Sequence, residues 1–153
     1  MARETRVAMN PAEVRDFLGH KDVLILATLD KDDVPVGDVA RFILDGDALV
    51  FALPRNGRTH RNLQRDNRIA CCAEQNPGYF EIAAVSVHGR AREVTESEQV
   101  ARLAVALDAC GAPVPAGRTA LKGETVILCV PLGEDVVSFD FAKIADRSRG
   151  VNH

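Results

Sequence analysis

No apolar run in this 153-residue chain approaches the roughly 20 residues that a membrane-spanning helix needs, so no such helix is expected. A basic excess is lacking as well. Nineteen Lys+Arg against 22 Asp+Glu leave a net charge of −3. That argues against a general nucleic-acid binder, which carries a surplus of positive charge. The opening MARETRVAMN is too polar for a secretory signal, and the expected compartment is the cytoplasm. Cys71, Cys72, Cys110 and Cys129 show no CxxC spacing. Cys71 and Cys72 would point to opposite faces of a strand, so no shared metal site or mutual disulfide is expected. They read as buried structural thiols. The four histidines lack the spacing of a zinc site. No Ser/His/Asp or paired-carboxylate arrangement can be argued from spacing. Repeats and low-complexity stretches are absent.

An apolar fraction of 46% and a charged fraction of 27% describe an ordinary globular chain with enough apolar residues for a core. Residues 1–153 read as one domain. Helical signals fall in 1–21 and 95–111, and a polar tail occupies 145–153. The first helix runs from Pro11 to His20, with Asn10 as cap, Pro11 in the first turn and Glu13 completing a capping box. Val23 to Leu29 is almost wholly apolar, as in a strand buried on both faces. Strands at Val34–Leu44 and Asp47–Leu53 flank the hairpin signal Asp45-Gly46. A short helix at Arg58–Asp66 leads to a strand at Arg68–Glu74. A long strand follows over Tyr79–Val94, with Gly89 as a bulge or kink. Thr95 and Glu98 suggest a capping box for a helix that Gly111 ends, and a loop with room for one helical turn follows. The last strands are Thr125–Pro131 and Asp135–Ile144. Short links between six or seven strands predict a mainly β fold with flanking helices, a closed or nearly closed antiparallel barrel.

The segment FALPRNGRTHRNLQRDNRI concentrates the chemistry. From Arg55 to Arg68 it holds five arginines and one acid, Asp66. A strand end, a turn with Gly57 and a helix start carrying Arg58 and Thr59 make a candidate phosphate site. Free N–H groups, the helix dipole and guanidinium forks all favour an anion there. The alternative reading is a solvated basic surface.

This order of motifs resembles the pyridoxamine 5′-phosphate oxidase-like family of FMN-binding split barrels. The resemblance rests on VLILATLDKDDVPVGDVARFILDGDALVFAL, RTHRNLQRDNRIACC, YFEIAAVSVHGRAREV and TVILCVPLGEDVVSFDFAKI. It implies a six- to seven-stranded split barrel that forms a homodimer with FMN at the interface. Arg58 and Thr59 would hold the phosphate, and Arg55 and Gly57 would shape the turn. Asn62 would anchor the helix or touch the ligand. Gly37, Asp38 and Val39, with Ala52, Leu53 and Pro54, would line the flavin ring. The implied activity is an FMN-dependent oxidation or reduction of a small molecule, with a nicotinamide as a candidate donor. Alternatives are a non-catalytic flavin- or haem-binding split barrel, or a deazaflavin-dependent reductase. Thr59 stands where many members have lysine, and the tail ADRSRGVNH does not match the C-terminal segment of true pyridoxamine 5′-phosphate oxidases.

Other residues keep two readings each. Arg41 is an outward arginine on the barrel wall or a second phosphate or ribityl contact. Asp38 is an exposed carboxylate or a partner for the flavin N3–H. His60 and His88 are surface histidines or groups near the cofactor, and His20 reads as a helix C-terminal cation. Phe139 and Phe141 pack in the core or cover the partner subunit's flavin.

Overall fold

The computed structural model describes residues 7–110, 124–133 and 135–144. Eight antiparallel strands form one curled sheet: β1 (Val23–Leu29), β2 (Pro35–Asp45), β3 (Ala48–Pro54), β4 (Arg68–Gln75), β5 (Ala83–Arg90), β6 (Arg92–Glu93), β7 (Thr125–Pro131) and β8 (Val136–Asp140). Their order is β6-β7-β3-β2-β1-β4-β5-β8. Only Ala91 separates β5 from β6, yet β5 pairs with β4 while β6 pairs with β7. The bend at Ala91 therefore brings the two ends of the sheet round to one another. Helices α1 (Pro11–Gly19), α2 (Arg58–Arg65) and α3 (Ser97–Ala109) flank the sheet. This is the mainly β split-barrel architecture expected above.

Period-two alternation builds the core. Leu24 and Leu26 of β1 are fully buried, as are Leu49 and Phe51 of β3 and Val85 and Val87 of β5. Leu18 from α1 joins them at zero exposure. Helix α1 begins as its sequence dictates. Asn10 Oδ1 accepts from the Glu13 N–H at 2.9 Å, and Glu13 returns the bond to the Asn10 N–H at 2.8 Å. Helix α3 covers a second, smaller cluster formed by Val50, Leu103, Leu107 and Ile127. The Asp45-Gly46 hairpin has Gly46 at φ 58, a left-handed conformation that costs glycine little.

Several expectations are corrected. Strand β1 is not buried on both faces. Its pattern alternates, and Val23 and Ile25 keep 40% and 48% of their surface exposed. The expected long strand Tyr79–Val94 starts late, because Tyr79–Glu81 form a 3-10 turn in which the Glu81 N–H donates to Gly78 O at 3.0 Å. It breaks at Ala91 rather than at Gly89, which pairs regularly with Ile69. That break raises the strand count to eight. Helix α3 is capped at Glu96 without a side-chain bond, so the expected Thr95–Glu98 capping box is not formed. Strand β8 stops at Asp140, whose Oδ1 accepts the Ala142 N–H at 3.0 Å and turns the chain. The expected stop at Gly111, the loop after it up to residue 123 and the tail 145–153 lie outside the described residues. Cys71 is buried and its thiol is pushed up to about 12 by desolvation, while Cys72, Cys110 and Cys129 are half-buried.

These contacts set the expected costs of substitution. Leu26→Ala should cost about 2–5 kcal/mol of stability through the cavity it leaves. Asn10→Ala should cost about 1 kcal/mol through the lost cap. Urea unfolding of the two variants beside the wild type checks both values.

Candidate functional site

The turn before α2 is built by backbone geometry. The Gly57 N–H donates to Pro54 O at 3.0 Å, and Asn56 takes the left-handed conformation at φ 60. Gly57 serves a different purpose. A Cβ there would sit 3.1 Å from Pro54 O, so a side chain would force the turn to give by a few tenths of an ångström. Gly57 then becomes the N-cap of α2, with no side chain bonded to the helix start. The first turn of α2 thus presents N–H groups that no described side chain caps, beside the exposed Arg58.

Three polar side chains of this helix pin it to the barrel. Asn62 is buried, and its Nδ2 donates to the Thr28 hydroxyl of β1 at 3.1 Å. Thr59 is buried, and its hydroxyl donates to Asp38 Oδ2 of β2 at 2.6 Å. His60 is only 2% exposed, unlike the surface histidine its neighbours suggest. Its Nδ1 accepts the Asn56 N–H at 2.9 Å, which leaves the ring proton on Nε2, 3.4 Å from Glu93 Oε2. The other Glu93 oxygen lies 3.7 Å from Arg55 Nη1. His60 therefore ties the turn to β6 and is committed to structure.

The remaining predicted residues fall in three places. Ala52, Pro54 and Arg55 are exposed around the end of β3, whereas Leu53 is buried in the core. Gly37 and Val39 lie on the outer face of β2 opposite Ala27 and Ile25. Arg41 shares that face but pairs with Asp22 at 3.5 Å, at the far end of the β1–β2 register from Pro35. Arg58 sits near Asp30, whose carboxyl is held low mainly by N–H bonds from Val34 and Asp32 and to a lesser degree by the charges of Arg58 and Arg65.

The helix start carries N–H groups without a side-chain cap and the exposed Arg58, within electrostatic reach of the Asp30 carboxylate. On the other flank the Asp38 carboxylate already occupies the Thr59 hydroxyl and adds a negative charge. The Thr59 hydroxyl proton is accordingly committed to Asp38 and not available to another acceptor. One constellation escaped sequence reasoning altogether. Ser86 Oγ lies 3.0 Å from His88 Nε2, and His88 Nδ1 lies 3.2 Å from Asp135 Oδ1. Ser86 and His88 are two apart on one strand, which hints at a shared face, but Asp135 arrives only through the β5–β8 pairing.

Comparison with known proteins agrees with the fold. The family model for pyridoxamine 5′-phosphate oxidase matches residues 11–129. The chain belongs to this family. Among solved structures, it is similar to the conserved hypothetical protein Rv2991 from Mycobacterium tuberculosis, with 21% identity and a TM-score of 0.79 over 97% of this chain and 92% of that one. A FAD-binding protein from Mesorhizobium loti matches at 18% identity and TM-score 0.71, covering 86% and 94%. HutZ, the haem storage protein from Vibrio cholerae, matches at 17% identity and TM-score 0.69, covering 85% and 96%. A search of curated proteins found no match. Among the described residues no helix is long and apolar enough to cross a membrane.

The electrostatics of the helix start lead to opposite expectations for two variants. Arg58→Ala should weaken FMN more than riboflavin, by about 1.5–3 kcal/mol, because only the phosphorylated ligand loses a charge-assisted bond. Asp38→Asn should strengthen FMN several-fold while leaving riboflavin unchanged, by removing a like charge beside the phosphate. Fluorescence titration of both flavins against both variants reads the two effects.

Proposed function

We propose that this protein is an FMN-dependent oxidoreductase that works as a homodimer on a small molecule. The observation that carries the reading is the uncapped basic start of α2, with Arg58 beside it, in a chain of this family. Arg58 and the α2 N–H groups would hold the phosphate, and Gly37, Val39, Ala52 and Pro54 would offer the ring small or apolar surfaces. Bound flavin would supply hydride transfer through its own ring. The protein's part is to fix the phosphate, flank the ring and keep His60 out of the chemistry by burying it. A nicotinamide is the natural class of electron donor.

The outer face of the sheet supports pairing of two copies. Ile25 lies opposite Val39 on one side and Cys72 on the other, and Cys72 opposite Ser86, which faces Val137. Ile25, Val39 and Val137 keep 48%, 65% and 56% of their surface exposed. Exposed apolar residues on one sheet face, here Ile25 beside Val39 with Val137 further along the row, favour a self-complementary contact. Sedimentation at micromolar concentration should give a dimer, and Val39→Asp should convert it to monomer with loss of FMN. A wild-type monomer of 16.6 kDa would count against both the dimer and interface flavin sites.

Two further readings have support in the structural neighbours. A deazaflavin-using enzyme is suggested by an F420 reductase that matches at 20% identity and TM-score 0.60, covering 78% of this chain and 92% of that one. A haem-handling role is suggested by HutZ. Absorbance of the purified protein separates the three readings. The expected flavin spectrum would be replaced by a Soret band for haem or by a shorter-wavelength band for a deazaflavin. Reduction of the FMN-loaded protein by NADH or NADPH, followed by stopped flow, then tests turnover.

A further inference from the structure

The arginines of this protein divide by how they are bonded. Arg15, Arg41, Arg55, Arg68 and Arg102 each meet a carboxylate, Arg90 bonds Asn67 Oδ1, and Arg92 reaches Cys129 Sγ. Arg58, Arg61 and Arg65 make no hydrogen bond or ion pair among the described residues. All three are exposed, and at spacings of three and four they share one face of α2. The buried anchors Thr59, His60, Asn62 and Leu63 take the other side of the helix. The fold therefore leaves the charge of one helix face without a bonded partner, while it supplies one to every arginine described elsewhere.

Such a stripe works against the helix that carries it. Arg61 and Arg65 are one turn apart, about 5–6 Å between Cβ atoms, and like charges at that spacing repel. Asp30 lies within electrostatic reach of Arg58 and Arg65, but its Oδ1 already accepts the Asp32 and Val34 N–H groups at 2.8 and 3.0 Å. Beside Arg65 opens a groove of about 700 Å³, between the second half of α2, the turn after β1 and the bend after β5. Gln64, Asn67 and Asp33 give it amide and carboxylate groups, and Leu63 gives it apolar surface. The Gln64 side chain makes no hydrogen bond among the described residues. From Arg58 to Arg65 the stripe is only about 10 Å long. Asp30, Asp33 and Asp66 border it, so a long polyanion would run onto carboxylates where a small phosphate compound would not.

We propose that Arg61 and Arg65 hold the phosphate of a nucleoside phosphate whose nucleoside enters the adjoining groove beside Gln64. Guanidinium forks give charge-assisted bonds to phosphate oxygens, and the bound anion relieves the repulsion between the two arginines. The Gln64 amide offers a donor and an acceptor to a base or ribose, and ribose hydroxyls can donate to Asp33. Arg58, at the helix start, stays with the flavin phosphate proposed above. Two sources carry this chemistry: the 2′-phosphate end of a nicotinamide donor, and the adenylate half of a flavin dinucleotide. Neither needs turnover to bind. The inference thus goes beyond the oxidoreductase reading and is tested without it.

Calorimetric titration of the flavin-free protein with 5′-AMP, ADP, 2′,5′-ADP, adenosine and inorganic phosphate tests the site. The nucleotides should bind saturably, and adenosine about tenfold more weakly for want of the charge-assisted bonds. Arg61→Met and Arg65→Met should each weaken the nucleotides about tenfold or more. Arg61→Lys and Arg65→Lys keep the charge and should lose less. Gln64→Ala should weaken 5′-AMP about threefold and leave inorganic phosphate unchanged. These exposed positions leave the buried anchors of α2 in place, and FMN affinity should fall less than nucleotide affinity in every variant. Arg15→Met removes an exposed positive charge on α1 and controls for net charge. Tighter binding of 2′,5′-ADP assigns the site to a nicotinamide donor, and tighter binding of ADP assigns it to a flavin dinucleotide. The proposal is overturned by the absence of saturable binding at millimolar nucleotide, or by an equal loss in Arg15→Met. Tighter capture of an oligoglutamate peptide or a single-stranded oligonucleotide than of the nucleotides also overturns it.

Discussion

The two-residue alternation of β1 is the constraint on which the rest depends. Leu24, Leu26 and Thr28 point inward, while Val23, Ile25 and Ala27 point outward. The inward set supplies the centre of the core. Its last member, Thr28, also receives the Asn62 side chain and so sets where α2 sits. The outward set forms the middle of the apolar outer face. A slip of one residue in this strand would exchange the faces, with the loss of core, helix anchor and outer surface together.

The anchoring of α2 shows how one set of contacts both creates and limits a site. Thr59 and Asn62 are polar and buried, so each must be hydrogen-bonded. Thr59 meets that requirement through Asp38, which brings a carboxylate to the start of a helix that otherwise suits an anion. The stabilising contact thereby sets a negative charge against the positive end of the helix dipole. His60 completes the arrangement by bonding the turn and facing Glu93, so the most basic segment of the chain is also tied to the barrel by buried polar contacts.

Much of the fold was legible because local signals and tertiary demands agreed. The capping box at Asn10, the Asp45-Gly46 hairpin and the helix after Gly57 are local chemistry, and they appear where the residues place them. Disagreements occur where a local signal competes with a distant partner. Gly89 looked like the break in the long strand, yet the β4–β5 register runs past it to the Ala91 N–H bond with Asn67 O at 2.8 Å, and only the next residues, Arg92 and Glu93, leave to pair with β7. Thr95 looked like a cap, yet the chain there is held by the Val94 N–H bond to Ile127 O and the helix starts later. The apolar run of β1 carried no sign of which side would be left open.

By itself, the sequence determined the antiparallel β class, the three flanking helices and the basic turn at Arg55 to Arg58. These follow from period, turn residues and capping chemistry, which act over a few positions. Only the tertiary structure decided which polar groups face one another. It gave Thr59 to Asp38, buried His60, placed Leu53 in the core and carried Asp135 across to His88. Those outcomes depend on strand register and on the bend that curls the sheet, and both are set by contacts between residues far apart in the chain. Spacing along one strand cannot encode a partner that arrives from another.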